Sequence, residues 1–446
     1  MRFRLTGGPA AVVVAALGAF LAARAGARRD ADVWRYQRGA GIETLTASVP
    51  PDFTTATDVA LPHRVHAPNT ALWYSASRVL PEGGALIVDA DDGAQVFVDG
   101  RQLRANSRTF ALPAGVAGAH RVVVRVLNNA MAGGLRAVRI AEASAWRAAT
   151  SPTVQLPAMD MVPPVESMAF SRRMPAANQP CAFSVWGDSQ GGWPTFSGLL
   201  RRMIDDRADV AIGVGDLVND GAEAGRWREF TDILRPLARV VPVVPVAGNH
   251  DYDGYYDTLR AEHYLALFRP AHQRPWFAWS CGPVRFMAID VNTEFPLGIS
   301  AGSEQARWIE REASGHAWRD AGWRVLVVHQ PPWSRSWEGY DGDAAVRHWV
   351  ERLAASPGLD VVISGHSHAY ERLARKAGGR SIQVVITGGA GGALEDAAAA
   401  RLDGDGGDRV VVRHHYLRAR ATADALTWEA VADDGAVLDG HTIGPR

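Results

Sequence analysis

Five short runs of apolar, mostly β-branched residues between positions 182 and 366 constrain the fold of this chain most strongly. These runs are AFSVWGD (182–188), DVAIGVGD (209–216), VVPVVPVAGN (240–249), RVLVVHQ (324–330) and DVVISGH (360–366). Helix-like segments such as TFSGLLRRMIDD and EQARWIEREA separate them. Strands that alternate with helices form βαβ units, because parallel neighbours need a crossover connection. The sequence therefore predicts an α/β fold with a largely parallel sheet.

Each of the five runs ends in a cluster of polar residues. The side chains in these clusters that could bind a metal are Asp188, Asp216, Asn249, His329, His366 and His368. The carboxyl ends of strands are where an α/β sheet binds its ligands. Carboxylate, amide and imidazole groups suit Zn, Mn or Fe. Six ligands are too many for one tetrahedral ion, so we expect two divalent or trivalent ions, with Asp216 bridging them.

Composition excludes some classes of function. The 446 residues carry a formal net charge of −1 and contain no basic tract, which argues against a nucleic acid duplex as partner. No serine or cysteine motif suggests a covalent enzyme intermediate, and no covalent cofactor is expected.

The N-terminus has the pattern of an export signal. Arg2 and Arg4 precede an apolar run over residues 10–23, and small residues follow it. This order is typical of a secretory signal peptide. We therefore expect residues 1–29 to be a signal peptide and the protein to be extracellular, periplasmic or on the cell surface. An uncleaved N-terminal membrane anchor is the alternative, since arginines follow the run.

The remaining chain divides into three parts. Residues 30–147 read as short strands with turns between them, as in ALIVDADDGAQVFVDG, and predict an all-β sandwich of jelly-roll-like type. This accessory domain either packs against its neighbour or binds a glycan or surface ligand. Residues 148–180 are rich in proline and predict a linker. Residues 181–446 form the predicted catalytic domain.

Only two cysteines occur, Cys181 and Cys281. An even number in an exported protein permits a disulfide. Each also lies beside an apparent strand, where a free buried cysteine is common. The sequence leaves the choice open.

The ordered motifs GDSQ, GDLVN, GNHD, VVHQ and GHSH resemble those of the calcineurin-like metallophosphoesterase superfamily. GHSHAYER and GSEQARWIE are particularly similar to the purple acid phosphatase branch. The resemblance runs from residue 181 to about 443. It implies a four-layer α/β/β/α sandwich with the site at the carboxyl edge of the sheets.

The resemblance also implies roles for individual residues. One metal would be held by Asp188, Asp216 and His368. The second would be held by Asp216, Asn249, His329 and His366. His250 would lie just outside the metals, where it donates a hydrogen bond to the phosphate or protonates the leaving oxygen. Asp251 would orient His250.

The chain departs from the family at two positions near the first metal. Gln190 replaces the histidine of the D-x-H motif, and Asn219 replaces the tyrosine of purple acid phosphatases. Without a phenolate ligand we expect a colourless enzyme with no ferric preference. Gln190 would bind through its amide oxygen, or water would take that position. Asn219 would be a ligand or a hydrogen-bonding neighbour.

A further set of residues follows the metal motifs and lies where the pocket rim is expected. It comprises Asn219, Tyr252, Trp333, Arg335, Tyr370 and Arg372. These side chains would contact substrate, support the ligands or fold the loops against themselves.

The resemblance implies an acid-phosphatase-like hydrolase acting on small phosphorylated substrates. The expected reaction is hydrolysis of phosphomonoesters by a metal-bound hydroxide at a dinuclear site. The first alternative is a phosphodiesterase acting on nucleotides or glycerophosphodiesters. The second, from another class, is a non-catalytic surface protein that binds glycan.

Overall fold

The computed structural model describes most of the chain beyond the N-terminal segment. Residues described are 33–39, 49–143 and 174–445, with gaps at 68–69, 91–92, 104, 107, 129–131, 253–260, 269–273, 294–297, 338–339, 356–357 and 398–406. The predicted signal peptide and most of the predicted linker lie outside these residues.

The N-terminal region consists of strands. Their bounds are β1 Val33–Arg38, β2 Thr57–Ala60, β3 Val65–His66, β4 Thr70–Leu80, β5 Ala85–Ala90, β6 Ala94–Val98, β7 Arg101–Gln102, β8 Ala105–Asn106, β9 Thr109–Ala111, β10 Gly118–Asn128, β11 Ala132–Gly133 and β12 Leu135–Ala141. They form a six-stranded sheet ordered β2-β1-β4-β10-β6-β7, a four-stranded sheet ordered β12-β5-β9-β8 and the pair β11-β3.

The two larger N-terminal sheets pack face to face. Trp34, Leu72 and Val124 of the first meet Leu86 and Phe110 of the second in one buried cluster. All strand pairings in this region are antiparallel. The prediction of an all-β N-terminal region is confirmed.

The second region combines strands and helices. The strands are β13 Cys181–Trp186, β14 Val210–Val214, β15 Val243–Val246, β16 Phe277–Cys281, β17 Val284–Ala288, β18 Trp323–Val327, β19 Val361–Ser364, β20 Tyr370–Ala377, β21 Arg380–Thr387, β22 Arg409–Val411, β23 His415–Ala421, β24 Leu426–Ala432 and β25 Val437–Ile443. The helices are Trp193–Asp206, Ala224–Ala238, Glu262–Phe268, Glu304–Ser314, His316–Arg319 and Ala344–Ala355. A 3-10 turn, Asn249–Asp251, follows β15.

These strands form two mixed sheets. One has the order β15-β14-β13-β23-β24-β25 and the other β16-β17-β18-β19-β21-β20-β22. The parallel pairs lie within β13–β15 and within β17, β18, β19 and β21. The five apolar runs are thus divided between two sheets, whereas alternation alone predicted one. Strand–helix alternation carries no information on which strands share a sheet.

Helices cover the outer faces of both sheets. Phe183 of β13 and Phe286 of β17 meet between the sheets, with ring centroids 5.3 Å apart. On one outer face, Trp186 packs on Phe196 of the helix Trp193–Asp206, with ring centroids 5.9 Å apart. That helix buries Phe196, Leu199, Leu200 and Met203, the spacing of one helical face. Helices Glu304–Ser314 and Ala344–Ala355 pack on the other sheet. The predicted four-layer α/β/β/α sandwich is confirmed.

Cys181 and Cys281 form a disulfide, which settles the question that the sequence left open. Cys181 begins β13 and Cys281 ends β16, so the bond joins the two sheets across 100 residues, with a Cα–Cα distance of 5.6 Å.

Among the described residues, no helix combines the length and apolar character needed to span a membrane.

Replacing both cysteines with alanine is expected to lower the free energy of unfolding by about 2–5 kcal/mol, because the bond closes a long loop in the unfolded chain. Urea unfolding followed by circular dichroism measures the change. Since the chain has no third cysteine, a reductant should shift the midpoint of the wild-type protein and leave the double variant unaffected. An unchanged wild-type midpoint under reductant would contradict this.

Candidate metal centre

The ends of five parallel strands bring the predicted ligands together. Asp188, Asp216 and Asn249 follow β13, β14 and β15 in one sheet. His329 and His366 follow β18 and β19 in the other. Parallel strands end at a common edge, and the two sheets are layered so that their edges face one cleft.

The backbone turns sharply at three of these positions. Asp188, Asp216 and His366 have φ angles of 60°, 52° and 68°. Residues other than glycine rarely adopt this left-handed conformation, which costs energy and concentrates at functional sites. The turns aim the three side chains into the cleft.

Two glycines let the carboxylates approach the opposing backbone. A Cβ atom on Gly365 would lie 2.4 Å from Oδ2 of Asp188. A Cβ on Gly248 would lie 2.2 Å from Oδ1 of Asp216. Any side chain at either position would displace a carboxylate.

The first group of candidate ligands comprises Asp216, His329 and His366, whose ligand atoms all lie within 4.8 Å of one another. His329 Nε2 is 3.2 Å from Asp216 Oδ1 and 3.3 Å from His366 Nδ1. Asn249 Oδ1 joins the group at 3.1 Å from His329 Nε2.

The second group comprises Asp188, Asp216 and His368, again within 4.8 Å. His368 Nε2 is 3.4 Å from Asp188 Oδ1. Asp216 belongs to both groups. The geometry therefore suits two cations that share one carboxylate, as in dinuclear hydrolytic sites where the ions are about 3.5–4 Å apart.

Backbone carbonyls fix the orientation of the imidazoles. His329 Nδ1 donates to the carbonyl of Val214 at 2.8 Å, and His368 Nδ1 donates to that of Ala393. The Nε2 atoms of both rings therefore face the carboxylates. Such outer contacts set the tautomer of metal-binding histidines.

The charges of the cluster also favour cations. Burial alone would lower the pKa of His329, but the Asp216 carboxylate raises it to about 10. Burial likewise opposes charge on His368, yet its hydrogen bond to Asp188 raises the pKa to about 9. Burial would raise the pKa of Asp216, but the charge of His329 outweighs it and holds that pKa below its usual value. The carboxylates thus stabilise positive charge in the cleft.

Gln190 and Asn219, the two departures from the family pattern, lie side by side next to this cluster. Gln190 donates its backbone N–H to the Asp216 carbonyl at 3.2 Å. Its side-chain Oε1 is buried, with no hydrogen-bond partner among the described residues. The Asn219 side chain packs on Gly191, whose Cβ would lie 3.0 Å from Asn219 Oδ1. A buried oxygen without a donor fits a metal ligand.

His250 stands at the opening of the cleft. Its side chain is 36% exposed, and Nε2 lies 4.0 Å from Asp216 Oδ2. Nδ1 donates to the Asn219 carbonyl at 3.0 Å, which leaves Nε2 directed toward an incoming molecule.

Asp251 has different contacts from those expected. Its carboxylate accepts backbone N–H bonds from Leu217, Val218 and Gly248 at 2.8–3.1 Å. The contact that orients the His250 ring is the Asn219 carbonyl instead. Asp251 therefore ties together the loops after β14 and β15.

The expected rim residues divide between the loops and the body of the fold. Tyr252 is buried and donates to Asp290. The guanidinium carbon of Arg347 lies 5.3 Å from the centre of the Trp333 ring. The Arg335 backbone N–H donates to the Glu371 carboxylate at 2.7 Å.

Tyr370 and Arg372 both bond to Asp439 of β25, at 2.8 and 2.7 Å. They connect the two sheets, a contact that the motif alone did not predict.

Two contacts to His368 were missed by sequence reasoning. Ala393 holds its ring, and Glu395 accepts its backbone N–H at 3.0 Å. Burial raises the pKa of Glu395 to about 7. The signal available was the glycine pair after β21, which turns the chain back at the same sheet edge.

Comparison with known proteins agrees with this arrangement. A family model for calcineurin-like phosphoesterases matches residues 183–370. Probable purple acid phosphatase 20 of Arabidopsis thaliana is 27% identical over 260 residues, covering 54% of this chain and 58% of that protein. Purple acid phosphatase 22 of the same plant is 26% identical over 216 residues, covering 46% and 48%. The match thus spans about half the length of these relatives.

A solved structure has the same fold. Purple acid phosphatase PPD1 from yellow lupin (Lupinus luteus) seeds superposes with a TM-score of 0.52 and 14% identity, over 89% of this chain and 78% of that chain. The motifs, the strand order and the match of residues 183–370 to the calcineurin-like phosphoesterase model agree with one another, and the chain shares its fold with purple acid phosphatase PPD1.

Proposed function

We propose that this protein is a dinuclear metal-dependent phosphatase that hydrolyses small phosphomonoesters. The observation that carries the proposal is the membership of Asp216 in two ligand groups, one with His329 and His366 and one with Asp188 and His368. The names of the plant relatives support the same reaction class.

The residues present fit two cations, because the buried Gln190 oxygen and the shared Asp216 carboxylate are donors that hard or borderline metals prefer. Asp188, Gln190, Asp216 and His368 would hold one ion, and Asp216, Asn249, His329 and His366 the other. Bound there, the pair would supply the Lewis acidity that activates water and neutralises the phosphoryl oxygens. Zn, Mn and Fe all remain compatible with this donor set.

His250 has the geometry of the proton donor. Because Nδ1 is bonded to the Asn219 carbonyl, the imidazolium would present its remaining N–H at Nε2. That group would donate to a phosphoryl oxygen or give its proton to the leaving oxygen. Asp251 contributes by holding the turn that carries His250.

Phosphodiester hydrolysis is the second candidate. The observation that favours it is Asn219, which stands in place of a tyrosine and would make the first site neutral on that side. The two activities would share the metal ligands.

We further propose that the protein is exported. The Cys181–Cys281 disulfide supports this, since disulfides persist in oxidising compartments. Glycan binding by the N-terminal sandwich stays a prediction, as do the bounds of the four segments of the chain.

Purified protein is expected to contain near two metal ions per chain and to hydrolyse p-nitrophenyl phosphate. His250→Ala should reduce kcat about 100-fold or more with metal content unchanged, because it removes a proton donor rather than a ligand. Mass spectrometry and steady-state kinetics give the two quantities.

His316→Ala, which alters an exposed histidine, is the matched control and should match wild type. Faster turnover of bis-p-nitrophenyl phosphate would favour the diesterase. Less than one metal per chain and no turnover with added Mn or Zn would refute the proposal.

Gln190→Ala is expected to weaken metal binding at the first site about tenfold, because a buried oxygen donor is lost. Chelator competition monitored by mass spectrometry measures the affinity. Gln383→Ala is the control, since the side-chain oxygen of Gln383 is also buried without a partner among the described residues but Gln383 lies within β21 and outside the two ligand groups. Equal affinity in both variants would show that Gln190 is not a ligand.

A further inference from the structure

Glu371 is a buried carboxylate with no part in the mechanism above. It lies at the second position of β20, three residues after His368, and is 0% exposed. Oε1 accepts hydrogen bonds from Ser334 Oγ at 2.8 Å, Ser336 Oγ at 2.6 Å and the Ser336 backbone N–H at 3.1 Å. Oε2 accepts from the Arg335 backbone N–H at 2.7 Å. A single side chain thus binds three consecutive residues of another segment.

These three residues belong to the loop that follows His329. This rim loop, residues 331–343, is closed at its base by the bond from Asp343 N to the Pro331 carbonyl at 2.8 Å. Ser334 N also bonds to the Asp341 carbonyl at 3.2 Å. The loop has neither strand nor helix between these bonds among its described residues, so its shape depends on anchors such as Glu371.

The rim loop packs directly on the candidate metal centre. Trp337 lies edge-on to His366 with ring centroids 5.0 Å apart, and Tyr340 does so at 5.4 Å. Ser334 Oγ bonds to Ser367 Oγ at 2.9 Å. Ser367 stands between His366 and His368, so the loop is tied to the segment that carries both histidines.

We propose that Glu371 is a positioning residue that clamps the rim loop and thereby fixes the imidazole of His366 for metal binding. Among the described residues, no backbone carbonyl accepts a hydrogen bond from the His366 ring. Its Nδ1 faces His329. Packing by Trp337 and Tyr340 takes the place of such a partner. The catalytic consequence rests on the proposed function, whereas the clamp itself does not.

Trypsin tests the clamp independently of activity, because Arg335 is both a cleavage site and a residue whose N–H Glu371 holds. Glu371→Gln leaves one acceptor oxygen and turns an amide N–H₂ toward the Arg335 donor. Cleavage after Arg335 should become about tenfold faster, since the bound loop opens more often. Ser336→Ala, which removes the Ser336 Oγ bond, one of the four hydrogen bonds to Glu371, should give an intermediate rate.

Asp360→Asn is the matched control. Asp360 is a buried carboxylate that accepts the Arg324 backbone N–H at 2.9 Å, but it lies at the amino ends of β18 and β19, away from the cleft. This variant should be cleaved after Arg335 at the wild-type rate. Its midpoint temperature of unfolding should fall by about as much as that of Glu371→Gln.

Metal binding tests the second step. In Glu371→Gln, the metal retained after dialysis should fall by about one ion per chain, and kcat/KM for p-nitrophenyl phosphate should recover when Mn is added in excess. Asp360→Asn should retain its metal. A fold defect alone would lower activity in both variants without recovery.

Wild-type cleavage rates after Arg335 in both Glu371→Gln and Ser336→Ala would overturn the clamp. Faster cleavage with unchanged metal affinity would overturn the link to His366. If the wild-type protein neither binds metal nor turns over substrate, the proposed function fails, and the cleavage rates still decide the clamp.

Discussion

Two carboxylates buried in one cleft are the constraint on which the rest of the structure depends. Asp188 and Asp216 are 0% and 2% exposed, and unpaired buried charges are costly. Positive charge from His329 and His368 compensates them in part, and cations would complete the compensation. The left-handed turns at the two aspartates store strain that is tolerated because the flanking strands are held in rigid parallel sheets. The arrangement of these side chains costs folding free energy. It is therefore better explained by ligand binding than by a contribution to stability.

The sequence predicted the residues of the cleft because a local rule governs them. Polar residues directly after apolar strands meet at a sheet edge whatever the order of the strands. For that reason the sequence alone predicts Asp188, Asp216, His329 and His366 as ligands of one site. The four-layer fold was implied by the resemblance to the metallophosphoesterase superfamily, and the all-β N-terminal region followed from its alternating pattern.

Features that depend on distant residues could not be predicted in the same way. The alternation of strands and helices did not reveal that the runs belong to two sheets. Tyr370 and Arg372 lie in the GHSHAYER motif, yet their partner Asp439 is 69 and 67 residues away. Asp251 was expected to orient His250 because the two are neighbours in sequence, whereas its carboxylate bonds to backbone across a turn. Side chains that hold loops in place leave no periodic signal.

The stoichiometry of metal binding in ligand variants tests the central claim, a carboxylate shared by two ions, most directly. Asp216→Ala removes a ligand from both groups, whereas His368→Ala removes a ligand from one. The account predicts near two ions per chain in wild type, near one in His368→Ala and near none in Asp216→Ala, measured by mass spectrometry after dialysis. Loss of the same single ion in both variants would contradict a shared ligand and show that the two groups are not one dinuclear site.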